Sequence, residues 1–317
     1  MWIGSPLRGI FRLTCYVSLT LVLLPFYFLA LALRITPIIR WMPVGYHRLV
    51  CVILGIKVRV NGRQSDVTPT LFVCNHVSYL DIEVLGGLVP GSFVAKAEVA
   101  TWPFFSTLAK AQRTIFIERR SGKTSKSRDE MMRRLDTGDN LMLFPEGTSS
   151  DGTRVLPFRS ALFGVAQLRR NDKPIVVQPV AISYTKLDGI PLGRFWRPLF
   201  AWFGDLDLVP HLWQMTCLGE TEAVVTFFPA VDIDKLGDRK KLAEFRGGRI
   251  QQIGAVAEPP RRDAAAGKHR AGCADGCARG RWNDRGGAGI EKAAQAAVQL
   301  QFESGRGRGR LRQRGGW

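Results

Sequence analysis

A histidine and an aspartate stand five residues apart in Asn75-His76-Val77-Ser78-Tyr79-Leu80-Asp81, directly after the apolar run Leu71 to Cys74. Where a strand turns into a helix over such a stretch, one carboxylate oxygen can take the imidazole Nδ1 proton. Nε2 is then free to accept a proton from a hydroxyl, which is the base-and-orienter half of a catalytic triad. A serine nucleophile would complete it, but Ser78 is only two residues from His76, and its simpler role is helix N-cap. Ser78-x-x-Asp81 also resembles a capping box with Asp in place of Glu, so the cluster alone does not establish catalysis.

A second cluster, Leu143-Phe144-Pro145-Glu146-Gly147-Thr148, follows the apolar run that starts at Leu141. Pro145 ends a strand, Gly147 lets backbone approach a ligand, and Glu146 and Thr148 offer an acceptor and a donor. The same residues also read as an ordinary turn beginning with Pro and Glu. Between the clusters lie Lys96, Arg113, Arg119 and Arg120. Arg119 follows the run Thr114 to Ile117, so its guanidinium can face the same crevice and bind an anion bidentately, unless it is a solvated strand-end charge.

The elements that must position these groups are visible between Val50 and Phe245, where short β-branched runs alternate with amphipathic stretches. The pattern predicts an α/β fold with a mixed, mostly parallel sheet flanked by helices. Expected strands are Ile56 to Val60, Leu71 to Cys74, Ser92 to Ala95, Thr114 to Ile117, Asn140 to Phe144, Ile175 to Tyr184 and Ala223 to Phe228. Ser125 to Leu135 and Ser160 to Leu168 read as helices. In open α/β sheets the crevice beyond the strand ends is where ligands bind, and both clusters fall there.

The 317 residues carry a net charge of +18, which raises the question of nucleic acid. Residues 1–65 hold eight Lys/Arg and no acid, 66–245 hold 22 and 21, and 246–317 hold 15 and 6, so the charge divides into +8, +1 and +9. The middle is neutral, and the basic ends need separate explanations. From Leu13 to Leu33 the front contains 21 uncharged residues, about 31 Å as a helix, interrupted near the middle by Pro25. The stretch exceeds a signal-peptide core and no A-x-A site follows it. A membrane span and a helix pair lying in the interface both fit, since cations on both sides blunt the positive-inside rule. The expected organisation is a membrane-anchoring segment over 1–45, a catalytic domain over 46–245, and a tail over 246–317. The tail holds 15 of the 33 glycines and ends in Gly-Arg repeats. It reads as disordered, or as the product of a shifted reading frame. His269, Cys273 and Cys277 match no common zinc spacing, and the other cysteines are scattered, so neither a metal nor a disulfide framework is expected.

The order H-x4-D, strand-borne Arg, F-P-E-G-T and then Val176-Val177-Gln178-Pro179-Val180-Ala181 resembles the glycerolipid acyltransferase family, in particular bacterial 1-acylglycerol-3-phosphate acyltransferases. The likeness covers roughly residues 45 to 230, with the apolar N-terminal element where that family places one. It implies transfer of a fatty acyl group from an acyl-CoA or acyl-carrier-protein thioester, as co-substrate and without a cofactor, to a lysolipid hydroxyl at the cytoplasmic face of the inner membrane. By this analogy His76 is the general base and Asp81 its orienter, with Asn75 and Ser78 completing the motif. The substrate's own hydroxyl is the nucleophile, which removes the need for a serine. Arg119, helped by Lys96, would hold the acceptor phosphate; Pro145, Glu146, Gly147 and Thr148 would shape the acceptor site; the Pro179 strand would line an acyl channel. Two departures stand out. Ser149 occupies a position where many members have Arg, and Arg113 one where Gly is common. Both also look like the branch that acylates lyso-ornithine lipid, whose acceptor has an amino-acid head group. The breadth of the family makes lysophosphatidic acid the first expected acceptor and lyso-ornithine lipid the alternative. Membrane lipids are the expected partners and no specific nucleic acid is. A membrane-tethered nucleic-acid binder without enzymatic activity would explain the two ends of the chain but leave four ordered motifs to coincidence.

Overall fold

The computed structural model describes residues 4–102, 104–117, 124–159, 169–170 and 173–232. Two apolar helices lead the chain, α1 (Pro6–Ala32) and α2 (Thr36–Leu54). There follow β1 (Ile56–Asn61), β2 (Thr70–Cys74), α3 (Leu80–Gly86), β3 (Gly91–Lys96), α4 (Phe105–Ala111), β4 (Ile115–Ile117), α5 (Thr124–Asp136) and β5 (Asn140–Leu143). A short pair, β6 (Arg169–Arg170) and β7 (Lys173–Pro174), precedes β8 (Val176–Leu187), β9 (Ile190–Pro191), α6 (Leu208–Cys217), β10 (Thr221–Phe227) and β11 (Val231–Asp232). Arg119, Arg120, the expected helix over 160–168 and the tail over 246–317 lie outside the described residues.

The main sheet has the order β1-β10-β8-β2-β5-β3-β4, with β9 and β11 also paired to β8. Strands β8, β2, β5, β3 and β4 run parallel, β10 opposes β8, and β1 runs parallel to β10. The sheet is therefore mixed and mostly parallel, as the alternating pattern predicts. All of β2 and β5 are buried, as strands covered on both faces must be, whereas β10 alternates buried and half-buried positions. Period-two alternation sends Phe72 and Cys74 to the face packed by Val84 and Leu85, and Leu71 and Val73 to the face packed by Leu135. Each fully buried aliphatic side chain contributes about 1.5–3 kcal/mol.

Proline in an interior strand needs a place where its missing N–H costs nothing. Pro179 sits where the antiparallel neighbour of β8 changes from β10, at Val180↔Phe227, to β11, at Val177↔Val231. Its carbonyl accepts the Phe228 N–H at 3.0 Å. The buried Gln178 side chain bonds three backbone groups there, at Ser65, Arg63 and Phe228.

The helix pair is a hairpin held by the sheet domain at both ends. Ser5 N donates to Cys217 O at 2.9 Å and Arg12 Nη1 to Leu218 O at 2.7 Å, which fixes the start of α1 on the end of α6. At the other end Arg48 Nε donates to Gly87 O at 2.7 Å. His47 contacts Glu83 at 2.7 Å and Gln112 at 3.0 Å, locking α2 to α3 and α4. α1 runs unbroken through Pro25, and the chain reverses instead at Arg34, whose φ is 55°. A proline at that depth removes one helical hydrogen bond without ending the helix. α2 continues past residue 45, where the sequence reading ends the anchoring segment. Among the described helices α1 alone is long and apolar enough to cross a membrane. Leu21, Val22, Phe26 and Leu29 of α1, with Ile38 and Trp41 of α2, expose a broad apolar surface.

Candidate functional site

Strands β2, β5 and β3 are parallel neighbours, so their C-terminal ends share one edge of the sheet. That edge brings together His76 after β2, Phe144 to Thr148 after β5, and Lys96 at the end of β3. Asn75 replaces one rung of sheet. Its Nδ2 donates to Ile182 O at 3.0 Å and its Oδ1 accepts Ile182 N at 2.8 Å, which ties the start of the motif to β8.

His76 Nδ1 lies 2.8 Å from Asp81 Oδ2. A carboxylate only accepts, so Nδ1 carries the proton and Nε2 is left as the basic nitrogen. Asp81 is fully buried and accepts three further hydrogen bonds: Val77 N at 2.7 Å, Ser78 N at 2.9 Å and the Tyr184 hydroxyl at 2.9 Å. The His76 ring stacks on Phe144 with centroids 4.2 Å apart, and its side chain keeps 20% exposure. A fixed, oriented and partly open imidazole is what general-base chemistry on a substrate hydroxyl requires.

The capping box is only half made: Asp81 accepts the Ser78 N–H at 2.9 Å, but the reciprocal bond to the Ser78 hydroxyl is missing among the described residues. α3 starts at Leu80 without a side-chain cap, and Ser78 is fully buried with no hydroxyl partner among the described residues. Asp81 itself reaches back to the free N–H groups ahead of the helix.

Glu146 is 2% exposed, and its two oxygens accept His76 N and Leu156 N, each at 2.8 Å. It therefore clasps the backbone of His76 to the loop after β5. Burial pushes its carboxyl from 4.5 up to about 7, with the two N–H donors opposing the shift. The fold thus favours protonated Glu146, so this group's stabilisation is complete below pH 4.5 and is lost as pH rises through about 7. The loss is about 3 kcal/mol. Unfolding midpoints measured from pH 4.5 to 8 should fall over this window, and Glu146→Gln should abolish that component of the slope.

Gly147 has a φ of 68° and closes a tight turn on Phe144, with Gly147 N donating to Phe144 O at 3.1 Å. Pro145 is buried and its carbonyl accepts Arg159 N at 2.9 Å; Thr148 follows half-buried in the same loop. Ser149 donates its hydroxyl to the Trp202 carbonyl, and Ser150 N donates to His76 O at 2.8 Å. Arg113 stands away from this edge, since it precedes β4 and pairs with Asp139 ahead of β5 at 2.7 Å.

A cavity of about 180 Å³ adjoins the site through Tyr79 and Ile82. Tyr16 and Leu23 of α1, Met42 of α2, Phe93 and Ala95 of β3, and Leu108 of α4 also line it, and it is overwhelmingly apolar. Pro179, placed by the sequence reading on an acyl channel, is not among its lining residues; Pro179 is buried within the sheet, opposite Val73.

Tyr184 was not singled out by motif or spacing. The available signal is its position in a buried strand two residues from Ile182, where a phenol needs a partner for its hydroxyl. Burial and Asp81 both raise its pKa strongly, so it remains a donor. Tyr184→Phe should lower kcat about three- to tenfold, since one neutral hydrogen bond to a carboxylate is lost.

An established family model, described as Acyltransferase, matches residues 57–183. The lyso-ornithine lipid O-acyltransferase of Rhizobium meliloti is 41% identical over 256 residues, covering 80% of this chain and 86% of that protein. The 1-acyl-sn-glycerol-3-phosphate acyltransferase of Neisseria gonorrhoeae is 31% identical over 203 residues, covering 63% and 74%. The crystal structure of the 1-acyl-sn-glycerophosphate (LPA) acyltransferase from Thermotoga maritima superposes with a TM-score of 0.51 at 19% identity. It covers 80% of this chain and 100% of that one, and shares the fold.

Proposed function

We infer that this lysolipid O-acyltransferase, which belongs to the acyltransferase family, takes lyso-ornithine lipid as its acceptor. The observation that carries the reading is the 41% identity, over most of both chains, to a lyso-ornithine lipid O-acyltransferase, against 31% to a 1-acyl-sn-glycerol-3-phosphate acyltransferase. It reverses the order expected from the breadth of the family, in which lysophosphatidic acid comes first. Ser149 supports the same reading, because its hydroxyl is spent on the Trp202 carbonyl and brings no cation to a phosphate.

In the mechanism that follows, His76 Nε2 takes the proton of the acceptor hydroxyl as its oxygen attacks the thioester carbonyl. The new C–O bond forms, the tetrahedral intermediate collapses, and the C–S bond breaks. The imidazolium returns its proton to the departing thiolate. Asp81 stabilises the imidazolium through Nδ1, and no acyl-enzyme is needed because the thioester is already activated. The donor is an acyl-CoA or acyl-carrier-protein thioester. An acyl chain fits the apolar cavity between the hairpin and α4, which opens beside the catalytic helix. Because both ends of the hairpin are held by the same domain, α1 and α2 enter one leaflet and return, so the site faces the lipid from which the acceptor comes.

The purified full chain should be assayed in vesicles with acyl-carrier-protein thioester and either acceptor. At least a tenfold higher kcat/KM for lyso-ornithine lipid is expected; a preference for lysophosphatidic acid would reject this acceptor.

A further inference from the structure

We propose that Arg159 binds the free carboxylate of the acceptor's amino-acid head group, an assignment that rests on the lyso-ornithine lipid reading. The turn from Phe144 to Gly147 has the base on one flank: Phe144 stacks on the His76 ring and Glu146 holds the His76 N–H. The segment after it folds back over the same turn. Leu156 N donates to Glu146 Oε2 at 2.8 Å and Arg159 N to Pro145 O at 2.9 Å.

This return lays the Arg159 side chain across Gly147. A Cβ at position 147 would stand 3.2 Å from Arg159 Nε and 3.4 Å from Cζ, so the glycine leaves room for the guanidinium stem as well as permitting a φ of 68°. Arg159 is exposed and forms no ion pair among the described residues. Its planar fork is suited to two parallel hydrogen bonds with a carboxylate. The cation that many family members carry at position 149 would emerge on the Trp202 side of the loop, where Ser149 now points. Here the charge comes instead from ten residues further along, over the apex of the turn. An acceptor with its hydroxyl at His76 and its carboxylate under Arg159 is held at two points, which orients it for attack.

A phosphomonoester offers the same anionic chemistry, so the test separates the two. Full-length wild type, Arg159→Ala and Arg159→Lys are assayed with lyso-ornithine lipid, its carboxyl methyl ester and lysophosphatidic acid. Arg159→Ala should raise the KM for lyso-ornithine lipid about tenfold or more with kcat and donor KM little changed. Arg159→Lys should be intermediate, and the methyl ester should have the same KM in all three proteins. An unchanged KM for the acid, or an equal rise for acid and ester, would overturn the assignment. A KM rise confined to lysophosphatidic acid would assign Arg159 to phosphate and also overturn it. Failure of the wild type to acylate lyso-ornithine lipid would instead remove the acceptor reading, and this assignment with it.

Discussion

Replacing His76 with alanine should lower kcat by about 10²- to 10⁴-fold, the contribution of a positioned general base. The acceptor hydroxyl must lose its proton as it attacks, and His76 Nε2 is the nitrogen left free by the Nδ1 bond to Asp81. The substitution keeps the backbone bond from His76 N to Glu146 and three of the four donors to Asp81. Its cost to stability is therefore restricted to one hydrogen bond and the stack on Phe144, about 1–2 kcal/mol. Vesicle co-sedimentation should be unchanged, because the apolar hairpin lies on other elements. Near wild-type turnover by the His76→Ala protein would remove the base from the mechanism.

Asp81 separates charge from architecture, and two substitutions read the two contributions. Asp81→Asn preserves shape and can still accept hydrogen bonds, so its expected loss in kcat of about 10²- to 10⁴-fold reports the missing charge opposite the imidazolium. Asp81→Ala leaves Val77 N, Ser78 N and the Tyr184 hydroxyl without an acceptor at a fully buried position. At about 1–3 kcal/mol for each unsatisfied group, the destabilisation approaches the lower end of total domain stability. Thermal unfolding should therefore show a modest change for Asp81→Asn and a large drop in Tm for Asp81→Ala. Equal melting temperatures would mean that the carboxylate is not the hub of this loop.

The strands around the site were legible because a sheet covered on both faces needs unbroken apolar runs, and Leu71 to Cys74 and Leu141 to Phe144 are such runs. H-x4-D was legible as a candidate because five residues are enough to turn from strand to helix. Its second reading as a capping box could be weighed only from the hydrogen bonds of Ser78 and Asp81, which make one half of the box and add His76 to the same carboxylate. Pro25 shows the limit of local rules, since a proline that signals a break sits within a continuous helix and the reversal falls at Arg34.

The sheet, the H-x4-D and F-P-E-G-T clusters at its strand ends, the neutral middle and the apolar N-terminal stretch were legible along the chain, since each depends on residues close together or on simple periodicity. Contacts across the fold were needed to see that Tyr184 completes the Asp81 cradle, that Glu146 clasps the His76 backbone, and that Arg159 lies over Gly147. The fold also sets an apolar cavity between the hairpin and α4 and joins both ends of that hairpin to one domain. These contacts join residues that are far apart in the chain, and no spacing rule specifies such pairs. They depend on which strands lie side by side and on where the loops beyond their ends return.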